Sequence, residues 1–460
     1  MDTAQGSTSI WLNRNYVWWL AGDTTGMIGR VFSLLIVSFV VFDLTGSEAS
    51  AGTLQTIILA LMMLAAIPGG VIVDRMDRRT LIYLYALLGA AVSGGICLFI
   101  YSGNLTYVTF AVLMGVLALV HGFFGEATNA ALRSIMSDRD FVKAQAANQG
   151  RDAAVQLIAR PLTGFFYGLF AWLPFLMSMI FSAIQGFVFT RVRTSLVPAK
   201  EMAPGRALVG TESSADTSTV AREARHAAPV KRASMSADFA EGLRYLTSRR
   251  TLLVLALIVT VVNLGMAGVQ SLMMLSLIAR GYPAVEVGYL GMGIGLGVIL
   301  SSTVAGRIAG EHPTGVITAT SLGWFTLATL PLLLSDGYWV MMGVSFAIGL
   351  CLPIINAALL GYVLGRTPES FQGRVSSILG VVAQGLSAFA PLIAGVSLET
   401  YGYERTAIIF VAICALGAII AILSPRVRRI PRPSEWESYD RDEPTQGPVT
   451  SAEVADSPRA

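Results

Sequence analysis

Four ionisable residues stand where the sequence around them is apolar. Asp23 and Arg30 interrupt the stretch WWLAGDTTGMIGRVFSLLIVSFVVF over residues 18–42, and Glu126 and Arg160 interrupt two others. A charge near the centre of a membrane-crossing helix costs roughly 2.5–3.5 kcal/mol on insertion scales, so such residues are either paired or handle ions or substrate. Buried carboxylates are suited to taking up and releasing a coupling proton, and arginines beside them tune that exchange or hold an anionic group. Asp23 and Arg30 share a helix face, because seven residues make nearly two turns, yet about 10.5 Å of axial rise separates them. Each therefore looks to another helix for its partner. His121 is a third kind of proton-handling group, although its spacing from Glu126 puts the two on different faces. The competing reading makes His121 a hydrogen-bonded interior histidine and the four charges fixed pairs that lock helices together.

The elements that must position these residues are membrane helices. The chain has 460 residues, of which 54% are hydrophobic and 13% charged, where soluble domains average about 25% charged. Its mean hydropathy is +0.64, and 46 glycines and 17 methionines suit closely packed helices in lipid. Apolar runs of about 20 residues, the length needed to cross a bilayer, number twelve. They fall at about 15–42, 50–73, 80–101, 106–131, 148–171, 173–192, 251–279, 284–307, 314–334, 338–364, 372–399 and 404–424. The expected fold is an all-α membrane protein of twelve transmembrane helices in two six-helix halves, residues 1–192 and 251–424. Between them, 193–250 reads as a cytoplasmic linker with a short amphipathic helix and a disordered middle, and 425–460 as a disordered tail. The first run lacks the short core and cleavage site of a signal peptide, so it is expected to be retained. Cys97, Cys351 and Cys414 are scattered among the apolar runs and form neither a disulfide framework nor a metal cluster.

Basic residues orient the chain. With the N-terminus inside, short inside segments hold 11 Lys and Arg, counting Arg151 with the loop before the fifth run, against only Arg280 and Arg405 outside. This excess predicts both termini in the cytoplasm. On that orientation, at about 1.5 Å per residue, Asp23 and Glu126 lie roughly 12 and 8 Å from the inner face, Arg30 and Arg160 roughly 22 and 18 Å. The carboxylates thus form an inner layer and the arginines a layer near the midplane. Helices of the second half carry no comparably deep charge but offer Asn263, Gln270, Asn356 and Gln384 as cavity candidates. At an offset of 240, Asp23 falls on Asn263 and Arg30 on Gln270; at 230, Pro161-Leu162 falls on Pro391-Leu392. Such matches between halves are the pattern of transporters with a site between repeats.

The loop GGVIVDRMDRRT at 69–80 resembles the signature of the major facilitator superfamily, Gly-x-x-x-Asp-Arg-x-Gly-Arg-Arg, through Gly70, Asp74, Arg75, Arg78 and Arg79. Asp77 stands where the superfamily usually has Gly. That departure, with DLTGS at 43–47 and EGLRYLTSRRTL at 241–252, resembles the branch of macrolide and siderophore exporters. The resemblance implies a cavity lined by the first, fourth, seventh and tenth helices, and a gating role for the loop. An Asp at a helix end with three arginines can exchange partners between neighbouring helix termini, here with PESFQGR at 368–374, where Ser370 and free N–H groups attract an anion. The corresponding loop of the second half, AGRIAGEHPTG at 305–315, has lost the pattern. GYLGMGIGLG at 288–297 lacks the strand and the Lys-Ser/Thr of a phosphate loop, and reads as a close helix contact.

These readings converge on a secondary transporter in the inner membrane of a bacterium, acting as a monomer in the lipid bilayer on a small amphiphilic compound. Proton-coupled efflux is the leading expectation, with Asp23 and Glu126 as proton carriers and with Arg30 and Arg160 tuning them or holding an anion. Uptake by proton symport is the alternative within the class, and a non-transporting sensor or accessory subunit the alternative outside it. No catalytic constellation, cofactor motif, metal-ligand set or nucleic-acid-binding pattern is expected. The four deep charges sum to zero and leave the sign of the substrate open.

Overall fold

In the computed structural model, residues 10–136, 138–194, 244, 249–366, 380 and 384–436 are described, and their regular structure is helical. The first half of the chain forms α1 (Arg14–Leu34), α2 (Val37–Thr45), α3 (Glu48–Arg75), α4 (Arg78–Tyr101), α5 (Tyr107–Phe124), α6 (Ala127–Ile135), α7 (Asp138–Leu169) and α8 (Leu173–Phe189). The second half forms α9 (Arg250–Ala279), α10 (Ala284–Glu311), α11 (Thr314–Thr329), α12 (Tyr338–Arg366), α13 (Ala390–Leu423) and α14 (Pro425–Arg428).

Polar caps set several helix starts. The Asn13 side chain accepts from the N–H groups of Asn15 and Tyr16, Ser47 from Ser50, Asp77 from Arg79 and Thr106 from Thr109. Each satisfies a donor that the first turn of a helix leaves free. Gly46 ends α2 with φ 66°, in the left-handed region that only glycine enters without strain. Gly402, at φ 76°, breaks α13 between two apolar stretches.

Nine stretches among the described residues are long and apolar enough to cross a membrane: the α1–α2 pair, α3, α4, the α5–α6 pair, α9, α10, α11, α12 and Ser387–Leu423. The other expected runs fall on α7, which begins ten residues earlier than its apolar part, on the 17-residue α8, and on α13 beyond Gly402. Two single runs are in fact broken helices, at Leu35–Ile36 and at Gly125–Glu126. The linker and most of the tail lie outside the described residues, as does the segment 368–374. One correction concerns the tail, expected to be disordered from residue 425. Residues 425–436 are folded against α11 and α12: the N–H groups of Thr314 and Gly315 donate to Pro431 and Ile430, and Trp436 meets Tyr362 at 5.4 Å between ring centroids. Three apolar side chains, Val427, Ile430 and Trp436, supply the burial that its polar composition concealed.

The core is divided in a way that shapes the site. At the end marked by Thr45 and Glu48, buried residues of both halves share one cluster, from Val37, Leu54 and Phe110 to Leu272, Leu290 and Phe410. At the opposite end, marked by Arg75, the core splits. One cluster draws only on the first half, around Tyr16, Trp19 and Phe189; another only on the second, around Leu252, Leu359 and Val427.

Glycines make the shared end possible. A Cβ on Gly52 would strike the Pro391 carbonyl, and one on Gly288 the Arg160 carbonyl and Pro161 Cα. Likewise a Cβ on Gly395 would strike the Glu48 carbonyl, and one on Gly164 the Ala284 carbonyl. The two crossings, α3 on α13 and α10 on α7, are therefore the same contact made twice, with the halves exchanged. Within GYLGMGIGLG, Gly293 and Gly297 face α12 while Gly288, Gly291 and Gly295 face α7, so the run is a double helix contact.

Candidate functional site

Between the halves lies a cavity of about 700 Å³, within the range of small-molecule sites. From the first half it takes Met27 and Arg30 of α1, Ser38 of α2, Gln55 of α3, and Gln156 and Arg160 of α7. From the second it takes Asn263, Met266, Gln270 and Met274 of α9, the Gly288–Gly291 face of α10, Ser345 of α12, and Gln384 and Ser387. Of the expected site residues, Arg30, Arg160, Asn263, Gln270 and Gln384 are thus brought together. Asn356 is exposed and is not part of the lining. Nor does any residue of α5 or α6 line the cavity, contrary to the expectation for the fourth run.

The two lining arginines differ in their surroundings. Arg160 Nε donates to Gln156 Oε1 at 3.0 Å, one turn earlier on α7, and its aliphatic stem lies where a Cβ on Gly291 would sit. Arg30 makes no ion pair among the described residues; its Nη1 lies 4.0 Å from the position a Cβ on Gly125 would take, at the break between α5 and α6. Tyr85, Asp23, Glu126 and Asp152 are within electrostatic reach of it. His121 is buried off the cavity with its ring 5.7 Å from that of Tyr85, and its Nδ1 has no hydrogen-bond partner.

Asp23 has found a partner that sequence reasoning missed. Arg151 Nη2, on α7, lies 2.7 Å from Asp23 Oδ2, and the two side chains are only 15% and 13% exposed. Arg151 also reaches Asp152 at 2.6 Å and lies over the Trp19 ring at 5.8 Å. Trp19 is itself fixed by its Nε1–H donating to the Thr128 carbonyl at 2.8 Å. Arg151 stands at the polar start of the fifth run, where it counts with the preceding loop and does not read as a deep charge. Glu126, expected inside the fourth helix near Asp23, sits instead at the break after Gly125, exposed, accepting from Asn129 Nδ2 at 3.0 Å.

The signature loop splits into two functions. Arg78 donates to Ser134 Oγ at 2.5 Å, and Arg79 to the carbonyls of Val192 at 2.5 Å and Thr194 at 3.2 Å, so both stitch the first half together. Asp74 and Arg75 are exposed at the end of α3 with no ion pair among the described residues, and the segment expected to meet them lies outside those residues. A Cβ at Gly70 would meet nothing, whereas one at Gly69 would strike the backbone of Gly122 and Phe123; the close approach belongs to Gly69.

At the shared end, DLTGS forms a clasp. The Tyr167 hydroxyl donates to Asp43 Oδ2 at 2.5 Å, and Ser47 Oγ and the Ala49 N–H donate to Glu399 Oε2 at 2.6 and 2.9 Å. Thr56 Oγ1 accepts from the Leu392 N–H at 3.0 Å, a second polar link across the α3–α13 crossing.

Comparison with known proteins fits this geometry. The Major Facilitator Superfamily profile matches residues 19–319 and 256–456. An uncharacterised MFS-type transporter of Bacillus subtilis (strain 168), YkuC, is 21% identical over 374 residues, covering 80% of this chain and 82% of its own. Among solved structures, a bacterial homologue of the iron transporter ferroportin, in an inward-facing state, superposes with a TM-score of 0.66 at 12% identity, covering 92% of this chain and all of that one. A bacterial homologue of the human lysosomal transporter Spinster, inward-facing and unoccupied, gives 0.63 at 14% over 92% and 98%. The nucleoside transporter NupG gives 0.62 at 10% over 89% and 98%. A polar cavity between two helical halves that share a core at one end, together with the profile match over nearly the whole chain, places it: this chain belongs to the Major Facilitator Superfamily, whose members are multi-pass membrane transporters of small molecules.

Proposed function

We propose that the chain exports a small amphiphilic compound across the bacterial inner membrane in exchange for protons, acting as a monomer with both termini in the cytoplasm. The observation that carries the reading is the divided core. Among the described residues the buried core joins the halves at the Thr45 end, with a cavity behind that contact, which fits a rocking carrier in one of its two closures. The positive-inside count puts the Arg75 end in the cytoplasm, so the cavity opens inward. Export, as against uptake, rests on the likeness of the DRMDRR, DLTGS and EGLRYLTSRRTL stretches to the exporter branch.

The Asp23–Arg151 pair is the proton-coupling element. It joins α1 to α7 inside the first half, two helices that both line the cavity. Protonating Asp23 removes the charge that holds Arg151, leaving the guanidinium to Asp152 and freeing α1. Glu126, exposed beside the α5–α6 break, is the second carboxylate candidate for proton carriage. Asp74 and Arg75 form the inner latch that closes when the cavity turns outward.

Reconstituted vesicles test this directly. Proteoliposomes loaded with a fluorescent amphiphile should show proton movement opposite to dye movement in wild type. With Asp23→Asn, dye should exchange without proton movement. Proton and dye moving in the same direction would replace export with symport, and an unaltered proton flux in Asp23→Asn would remove Asp23 from the coupling.

A further inference from the structure

The positions of the four charges bear on the sign of the substrate, which their sum of zero leaves open. Both arginines line the cavity, and among the described residues no Asp, Glu, Lys or His does. The carboxylates are engaged elsewhere: Asp23 with Arg151, and Glu126 with Asn129 at the helix break. Among the described residues Arg160 is held by the neutral Gln156, and Arg30 makes no ion pair, with Asp23, Glu126 and Asp152 acting on it only through space from outside the cavity lining. Two guanidinium groups facing one low-dielectric cavity without an anion are an unbalanced arrangement, because a desolvated charge needs a partner. Ser345 adds an independent observation. It lines the same cavity, is fully buried, and its hydroxyl has no hydrogen-bond partner.

The rest of the lining says what kind of anion. Inorganic ions need a few donors and little space, whereas this cavity also presents Met27, Met266 and Met274, flexible thioethers that fit irregular apolar bodies. Gln270 and Gln384 supply further neutral polar contacts from the second half.

We infer that the cavity binds an amphiphilic anion, its carboxylate, sulfonate or phosphate group received by Arg30, Arg160 and the free hydroxyl of Ser345, and its apolar body by the methionines. Arginine suits that task because its planar fork meets an oxyanion with two donors. The inference rests on the cavity being the transport site, and it makes the arginines substrate ligands and leaves proton carriage to the carboxylates.

Two dyes of one skeleton test it: 1-anilinonaphthalene-8-sulfonate, and its parent N-phenyl-1-naphthylamine, which lacks the sulfonate. Binding to the full chain in phosphatidylcholine nanodiscs is read by fluorescence, with empty discs subtracted. The sulfonate should bind at least about tenfold tighter than the parent, the scale of one charge-assisted hydrogen bond. Arg30→Gln and Arg160→Gln should each abolish that advantage while holding the parent as wild type does, which shows the cavity intact. Arg160→Lys should keep part of it, and the surface variant Arg307→Gln all of it. Decanoate should displace the sulfonate and decyltrimethylammonium should not. Equal binding of the two dyes, an advantage that survives both Gln variants, displacement by the cation alone, or no binding above empty discs would each overturn the inference. Discs containing phosphatidylglycerol separate the sources of the anion: competition by the lipid assigns the site to a headgroup, and its absence to a free organic anion. Flux keeps the two readings apart. Cation binding with intact flux sinks the anionic class alone, and anion binding without flux sinks the transport reading alone.

Discussion

Arg151 lies between two carboxylates, with its Nη2 2.7 Å from Asp23 and 2.6 Å from Asp152. This asymmetry orders the consequences of breaking the site. Asp23→Asn leaves Arg151 paired with Asp152, so the loss should be modest, about 1 kcal/mol. Arg151→Met strands Asp23, only 13% exposed, while Asp152 at 45% exposure stays hydrated, and should cost about 3 kcal/mol. The double variant Asp23→Asn/Arg151→Gln should recover part of that cost, because the stranded charge has gone. Thermal unfolding of the purified protein in detergent, followed by tryptophan fluorescence, reads all three. If Asp23→Asn proves the worse single variant, Arg151 is not balanced by Asp152.

Asp77, the residue that departs from the superfamily signature, caps α4 through its acceptance from the Arg79 N–H at 3.0 Å. Glycine at that position is also a fair N-cap, so the departure is conservative in capping terms. Asp77→Gly should therefore cost only a few tenths of a kcal/mol and Asp77→Ala about 1 kcal/mol. The midpoint of thermal unfolding should fall in the order wild type, Gly, Ala, with transport retained in both. Loss of transport in Asp77→Gly at unchanged stability would give Asp77 a role beyond capping.

Hydropathy made the apolar runs legible because each helix buries most of its length against lipid or other helices, and the loop motif was legible because its residues are adjacent in sequence. The ion pair was not. Arg151 lies thirteen residues into α7, in a polar stretch that continues the helix beyond its apolar part, and a hydropathy window reads such a stretch as loop. The breaks at Leu35–Ile36 and Gly125–Glu126 were hidden for the opposite reason, since no proline or charge run marks them. The offsets between the halves have counterparts in the structure. Arg30 and Gln270 both line the cavity, and Pro161 and Pro391 occupy equivalent crossings. Asp23 and Asn263 part company, since Asn263 lines the cavity and Asp23 is paired with Arg151.

Those crossings predict how the shared end can be forced apart. Gly164 and Gly395 touch the carbonyls of Ala284 and Glu48, so a methyl at either position cannot be accommodated without separating the helices. Gly164→Ala and Gly395→Ala should each destabilise the closure at the Thr45 end by about 1–3 kcal/mol. Gly168→Ala, on the same helix with open space around it, should be neutral or slightly stabilising. Cavity exposure is read in cells carrying Gln270→Cys, by labelling with a membrane-impermeant maleimide from outside. Labelling should rise with the first two substitutions and stay at the parent level with the third. Equal labelling in all three would mean that the crossings do not control access.

The Glu399 clasp predicts a graded version of the same shift. Its carboxylate accepts from Ser47 Oγ and from the Ala49 N–H at the start of α3, where the positive end of the helix dipole favours an anion. The site is exposed, so solvent screens it, and the charge should contribute only about 0.3–1 kcal/mol to closure. Glu399→Gln keeps one acceptor and loses the charge; Glu399→Ala loses both; Ser47→Ala removes one donor and the cap of α3 together. Labelling of Gln270→Cys from outside should therefore increase from wild type to Glu399→Gln to Glu399→Ala, with the unfolding midpoint unchanged. In Ser47→Ala both labelling and the midpoint should move, because the cap serves the helix as well as the closure. A flat series across the two Glu399 variants would reduce the clasp to a loop contact and leave the glycine crossings as the determinant of closure.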